Sequence, residues 1–287
     1  MRSFSRKGVG RFLGAMLLIL ALALGMVLAF LYWQARERPD SSGEYVALGS
    51  SFAAGIGLGP RAPGSPLVCF RTTGGYPAQI AERTGLTFVD MSCSGSTTTH
   101  ILKGGQVFLG PQLAAIGPKT RLVTITSGGN DVGYVGDLMA ASGQMGALGR
   151  LWSGDVQPAD ARPHDKVAEN LEAIVQHIRR IAPKARIIIV SYPAILPERG
   201  NCTALGIDEH QAQISRAVAQ KLALVTAQAA RQARVDLIDM AKASIGHDAC
   251  SARPWVNGAV VEGGTAFHPN ADGSRAVAER VIAAWRT

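Results

Sequence analysis

The chain has 287 residues, 47% of them hydrophobic and 17% charged, with 33 Gly, 14 Pro and a formal net charge of +8. A chain this long and this apolar is neither a disordered segment nor a small disulfide-held scaffold, and its soluble part can bury the core of a full α/β domain. The basic excess is local: Arg2, Arg6, Lys7, Arg11, Arg36 and Arg38 lie before residue 39 with only Glu37 against them, and removing these from 29 bases and 21 acids leaves 23 against 20, an ordinary surface for which no nucleic-acid partner is expected.

From Phe12 to Trp33 no residue is charged, and a helix of those 22 residues spans roughly 33 Å, enough for the hydrocarbon core of a bilayer. Residues 12–33 therefore read as a transmembrane signal anchor and 1–11 as a basic cytoplasmic segment. The four bases before the helix against Arg36 and Arg38 after it place the chain's body on the extracytoplasmic side. Tyr32 and Trp33 suit the aromatic belt of a retained helix. The alternative is a cleaved signal peptide, with Val27-Leu28-Ala29 as the small-residue site, which would leave a secreted protein. Residues 34–43 are polar and turn-rich and read as a linker. No second composition break follows, so 44–287 is expected to be one domain.

Five short apolar or β-branched runs then alternate with helical patterns: Tyr45–Leu48, Thr87–Val89, Arg121–Ile125, Arg186–Val190 and Val235–Ile238. Near-continuous apolar runs of this length suit parallel strands covered on both faces. Leu171, Ile174, Val175, Ile178 and Ile181 recur at helical spacing within 167–181, a second helix is predicted over about 208–233, and a third over 271–285. This alternation predicts a three-layer, doubly wound, flavodoxin-like α/β sheet of about five parallel strands, with functional groups on the loops beyond the strands' carboxyl ends.

Those loops carry the polar chemistry. The first strand runs into Gly49-Ser50-Ser51, a small-residue turn that presents a hydroxyl beside backbone N–H groups. The second leads into Ser92-Cys93-Ser94-Gly95, where the Gly95 N–H is a further donor. The third ends in Ser127-Gly128-Gly129-Asn130-Asp131, where paired glycines allow a tight turn and the Asn amide can face a developing oxyanion. Long connections at about 132–164, 192–207 and 241–265 carry Leu138, Met139, Met145, Leu148, Leu151, Trp152 and Trp255, an apolar set suited to an acyl chain or to packing alone. Phe267-His268-Pro269-Asn270 stands just before the last helix. An even count of four cysteines suits an oxidising compartment, and no C-x-x-C or His at ligand spacing points to a metal. The pairing expected is the one closing the two shorter loops, Cys69 with Cys93 and Cys202 with Cys250.

Taken in order, these blocks resemble the GDSL/SGNH hydrolase superfamily, in particular its secreted, disulfide-containing lipase and esterase branch, over about residues 44–286. The first block is Gly49-Ser50-Ser51, the second supplies Gly95, the third is Gly128-Gly129-Asn130-Asp131 and the fourth is His268-Pro269. The stretch from Cys69 through Tyr76-Pro77 to Cys93-Ser94-Gly95 is similar to that branch as well. The resemblance implies an SGNH hydrolase fold and a serine esterase needing no cofactor or metal. Ser51 would be its nucleophile, His268 its general base, and Ser51 N–H, Gly95 N–H and the Asn130 amide its oxyanion hole.

Two positions depart from the family pattern. The Asp before the nucleophile is Ser50, which leaves Ser50 as an alternative nucleophile. The Asp three residues before the His is Thr265, so no carboxylate stands there; the implied substitute is the Thr265 backbone carbonyl, giving a Ser-His dyad, with Glu262 or Asp239 as alternative carboxylates. The function expected is a membrane-anchored extracytoplasmic lipase or esterase acting on lipid or other small acyl esters through an acyl-enzyme. The alternatives are an envelope carbohydrate deacetylase and a catalytically inactive binding module of the same fold. Acyl length, natural alcohol and oligomeric state are not legible.

Overall fold

The computed structural model describes residues 6–35, 39–146, 156–261 and 263–287, with side chains from residue 12 onward. A long helix, α1 (Arg6–Ala35), precedes an α/β body built on five strands: β1 (Tyr45–Gly49), β2 (Phe88–Asp90), β3 (Leu122–Thr126), β4 (Arg186–Val190) and β5 (Asp236–Ile238). All pair in parallel in the order β2-β1-β3-β4-β5. This is the doubly wound, flavodoxin-like arrangement expected, with the order reversing at β1.

Strand alternation sorts the core into two layers. Tyr45, Ala47, Leu122, Ile188 and Val190 face one side, against α3 (Tyr76–Thr84) and α9 (Ala271–Arg286). Val46, Leu48, Val123, Ile125, Ile187 and Ile189 face the other. That side is covered by α4 (Thr98–Lys103), α5 (Tyr134–Ala141), α6 (His164–Ile181) and α7 (Glu209–Ala233). In α6, Val167, Leu171, Ile174, Val175 and Ile178 are wholly buried, each contributing about 1.5–3 kcal/mol of apolar burial, while Asp165 and the pair Arg179 and Arg180 complement the helix dipole at its two ends. Where strand side chains in the interior are polar, they pair: Tyr45 shares a 2.8 Å hydrogen bond with Thr124, and Tyr76 one of 2.7 Å with Thr126.

The shortest helices lie at the carboxyl edge of the sheet, α2 (Ser51–Ala54) after β1 and α8 (Met240–Ala243) after β5. Both expected disulfides are formed, Cys69–Cys93 and Cys202–Cys250. The first ties the loop after α2 to the loop after β2; the second ties the loop after β4 to the one after α8. Because Cys202 and Cys250 lie 48 residues apart, opening their bridge frees a long loop in the unfolded chain. The double variant Cys202→Ser/Cys250→Ser is expected to lose about 4 kcal/mol of unfolding free energy, read as a lowered midpoint in denaturant titration.

Candidate active site

β1 carries the first block to the sheet edge. Gly49 has φ +148°, and a Cβ there would collide with the Thr126 carbonyl of β3, the oxygen that accepts the Ser50 N–H at 2.9 Å. Glycine thus permits the close β1–β3 approach that turns the chain directly into α2. Ser50 is the residue preceding that helix and Ser51 its first.

The fourth block arrives from the other end of the chain. Asn270 caps α9 by accepting the Gly273 N–H at 2.9 Å, and Val256 bridges Pro269 in antiparallel fashion. Phe267, fully buried, adopts φ +57°, and this left-handed residue bends the loop so that the His268 ring faces β1. His268 Nε2 lies 2.8 Å from Ser51 Oγ, a hydrogen bond between residues 217 positions apart. Its Nδ1 lies 2.7 Å from the Ala266 carbonyl, which fixes Nδ1–H as donor and leaves Nε2 as acceptor for the serine proton. The Phe52 ring packs at 5.1 Å against the imidazole.

The orienting carbonyl is therefore Ala266, not Thr265 as expected. The Thr265 oxygen is already taken by the Asn257 amide at 3.0 Å and by the His268 backbone N–H at 3.3 Å, and the turn at Phe267 brings the next carbonyl round to the ring. Asp239 is engaged elsewhere, accepting from Ser191 Oγ and from the Lys242 N–H. Glu262 lies outside the described residues.

Loops after β2 and β3 close the site's second wall. Asn130 Nδ2 donates to the Ser96 carbonyl at 2.9 Å, leaving its other hydrogen available. Neighbouring Asp131 accepts from both the N–H and the hydroxyl of Thr98. Among the described residues, the N–H groups of Ser51 and Gly95 have no protein acceptor. Three donors thus stand on loops after three neighbouring strands, at the sheet edge that carries Ser51, a pattern suited to charge developing on an acyl oxygen. Among the described residues no three His, Cys, Asp or Glu side chains come together as metal ligands.

The geometry agrees with what the whole chain resembles, for the GDSL-like lipase/acylhydrolase family matches over residues 47–276. The chain belongs to this family. It is 31% identical over 253 residues to Lipase 2 of Streptomyces coelicolor, covering 83% of this chain and 84% of that protein. The solved extracellular lipase of Streptomyces rimosus superposes with a TM-score of 0.68 at 30% identity, over 84% of this chain and 98% of that one. Phospholipase A1 of Streptomyces albidoflavus gives 0.66 at 27% identity, over 85% and 99%. As a GDSL-like lipase/acylhydrolase, the protein is a carboxylic ester hydrolase.

Within this GDSL-like hydrolase, three residues that sequence reasoning did not single out shape the site. Ser50, weighed as a second nucleophile, is buried with its hydroxyl 2.8 Å from Tyr192 Oη, turned away from His268. Tyr192 packs on Phe52 at 4.6 Å, and burial pushes its phenol well above the usual tyrosine range, so it is neutral and able to donate. Gln112, buried, accepts the Gly49 N–H at 2.8 Å and donates to the Gly49 carbonyl and to Ser96 Oγ, locking the nucleophile strand to the Gly95 loop. Asn257 fixes the His loop. Only spacing to a folded neighbour identifies them; no local motif does. Of the apolar loop residues, Leu138 is core, Met145 is exposed, Trp255 lies between the His247 ring and the Arg280 guanidinium, and Leu148, Leu151 and Trp152 lie outside the described residues.

Burial also lowers the His268 pKa below its usual value, opposed in part by the Ala266 hydrogen bond. The unfolded imidazole then takes up its proton first as pH falls. The stability this contributes is complete above about pH 6.5 and is lost as pH drops from there towards the folded value. An NMR titration of the His268 ring is expected to give a midpoint below 6.5, moving up towards 6.5 on unfolding.

Proposed function

We propose that this hydrolase works through an acyl-enzyme on Ser51, using His268 in a dyad oriented by the Ala266 carbonyl, and that it is held at a membrane by an uncleaved α1 with its catalytic body outside the cytoplasm. The observation that carries the chemistry is the 2.8 Å contact between Ser51 Oγ and His268 Nε2, with Nδ1 held at its far side. Oγ attacks the ester carbonyl carbon while its proton passes to Nε2; the carbonyl oxygen, now an oxyanion, accepts from Ser51 N–H, Gly95 N–H and Asn130 Nδ2. The C–O bond to the alcohol breaks as Nε2 returns the proton to the leaving oxygen. Water then attacks the acyl-serine with the same proton relay, releasing the acid and restoring both side chains. A neutral carbonyl holds the tautomer as a carboxylate would and stabilises the imidazolium less, which favours a dyad whose base is neutral at pH 7.

The anchoring half of the reading rests on α1. Phe12–Ala35 is long and apolar enough to cross a bilayer, by length and composition alone, and its most apolar stretch has no residue buried against the body, which the helix meets at its last turn. Bases precede it, and two disulfides on the body suit an oxidising compartment. Lipid acyl esters are the substrate class this placement favours, in keeping with relatives named lipase and phospholipase A1.

A fluorophosphonate probe is expected to label the purified chain on a single serine and to lose all labelling in Ser51→Ala while Ser50→Ala still labels; no uptake by the parent chain would make it an inert module. Asn130→Ala is expected to lower kcat by about 10²–10³-fold with little change in fold, measured on p-nitrophenyl esters of increasing length. Hydrolysis confined to acetate in that series would turn the assignment to a carbohydrate deacetylase.

A further inference from the structure

Beyond Ala35, nine large apolar side chains stand exposed among the described residues, and four of them gather around the last turn of α1. Leu67, Phe70, Val107 and Phe108 are 45, 57, 42 and 53% exposed. The helix touches this patch directly: the Tyr32 ring meets Phe108 edge-on at 5.9 Å, and Gln34 Oε1 accepts the Leu67 N–H at 3.2 Å. The patch is also where the backbone is forced. Five non-glycine residues among those described have positive φ, and three of them are Phe70 at 51°, Val107 at 45° and Phe108 at 68°. For a β-branched residue that conformation is unusual, and no core burial repays it here, since all three side chains point outward.

From this we infer that Leu67, Phe70, Val107 and Phe108 form a membrane-docking face that enters the headgroup and upper acyl region of the bilayer holding α1, so that the catalytic body takes its ester substrates from the membrane surface. The inference rests on the retained-anchor reading above. Twenty-four residues from Phe12 to Ala35 make a helix of roughly 36 Å, slightly longer than the hydrocarbon core, which sets Tyr32 and Trp33 at the outer interface. Whatever touches Tyr32 and Gln34 is then at headgroup depth. An exposed apolar face in water is a liability; against lipid it is buried. Exposed Arg61, which shares the lining of one groove with Leu67 and Phe70, adds charge that anionic headgroups attract.

The face leads to the reacting pair. Behind Leu67 and Phe70 runs a groove of about 460 Å3, lined also by Ile56, Gly57 and Val68. Gly57 lies so close to Gly264 and Thr265 that a Cβ would come within 2.7 Å of both. The loop carrying the patch therefore abuts the loop carrying His268, and Ile56 in the groove wall donates its N–H to the Ser51 carbonyl at 3.4 Å, so an acyl chain leaving the bilayer along the groove comes within about one helical turn of Ser51.

The test uses the full chain in phosphatidylcholine vesicles, with an environment-sensitive fluorophore on a cysteine placed by Phe70→Cys, Phe108→Cys or, as control, Leu224→Cys, an exposed residue of α7 towards the other edge of the sheet. Labels at 70 and 108 are expected to emit blue-shifted light quenched at least threefold by brominated lipids, while the label at 224 stays water-like. If the chain floats with the vesicles and all three sites stay water-like, the docking face is wrong although the anchor stands. A chain that does not float removes both. Blue-shifted emission without bromolipid quenching assigns the patch to a protein contact and overturns the proposal. As a functional readout, Val107→Ser/Phe108→Ser is expected to cut hydrolysis of a phospholipid in the same vesicles at least tenfold and leave p-nitrophenyl acetate within twofold; equal loss on both, or loss on neither, contradicts docking.

Discussion

One hydrogen bond, from Ser51 at the end of the first strand to His268 before the last helix, joins groups 217 residues apart, and the architecture exists to make it short. Each partner is fixed from its own side. Ser51 is placed by β1, which can end in a sharp turn only because Gly49 lets β3 approach. His268 is placed by the capped start of α9, the Val256–Pro269 bridge and the left-handed Phe267. Errors of an ångström in either frame would separate the pair, so precision is supplied by buried backbone pinned through the Ser50–Thr126 and Asn257–His268 hydrogen bonds.

Among the described residues, a carbonyl and not a carboxylate holds Nδ1 of His268, and the electrostatics follow from that. A charged partner on Nδ1 would raise the imidazole pKa; a carbonyl raises it little, and burial prevails, so the base stays neutral. The same economy of charge recurs at Ser50, where a hydroxyl paired to Tyr192 fills the position of the customary Asp. At Ser50 this removes negative charge from a buried position without leaving the hydroxyl unpaired, which is why the interior tolerates it.

The second wall is held by stitches between blocks. Asn130 and Asp131 reach across to Ser96 and Thr98, and Gln112 spans Gly49 and Ser96. The loops after β1, β2 and β3 are consequently stitched to one another, reinforced by the Cys69–Cys93 bridge, so that the donors on them are held in place before any ligand arrives. The opposite rim is of another kind: Leu67, Phe70, Val107 and Phe108 face outward next to the end of α1, so the polar machinery and the apolar surface share a loop.

Much of this was legible in the residues alone. Apolar runs between turn residues disclosed the five strands because a strand covered on both faces carries few polar positions, and α6 was plain from its 3.6-residue period. Gly49-Ser50-Ser51, Gly95, Asn130 and His268 stood at strand ends, and two disulfides followed from the shorter loops. Hidden were the choice of Ala266 over Thr265, the Ser50–Tyr192 pair, and the roles of Gln112 and Asn257. Adjacent carbonyls differ only by the rotation of a peptide plane, and here the turn at Phe267 and the donors of Asn257 set that rotation. Sequence by itself determined the order of elements and the chemical groups offered at the sheet edge, since burial period and turn residues are local properties; the tertiary structure alone decided which atoms meet, since hydrogen bonds reaching across 63, 142 or 217 residues depend on where distant elements pack.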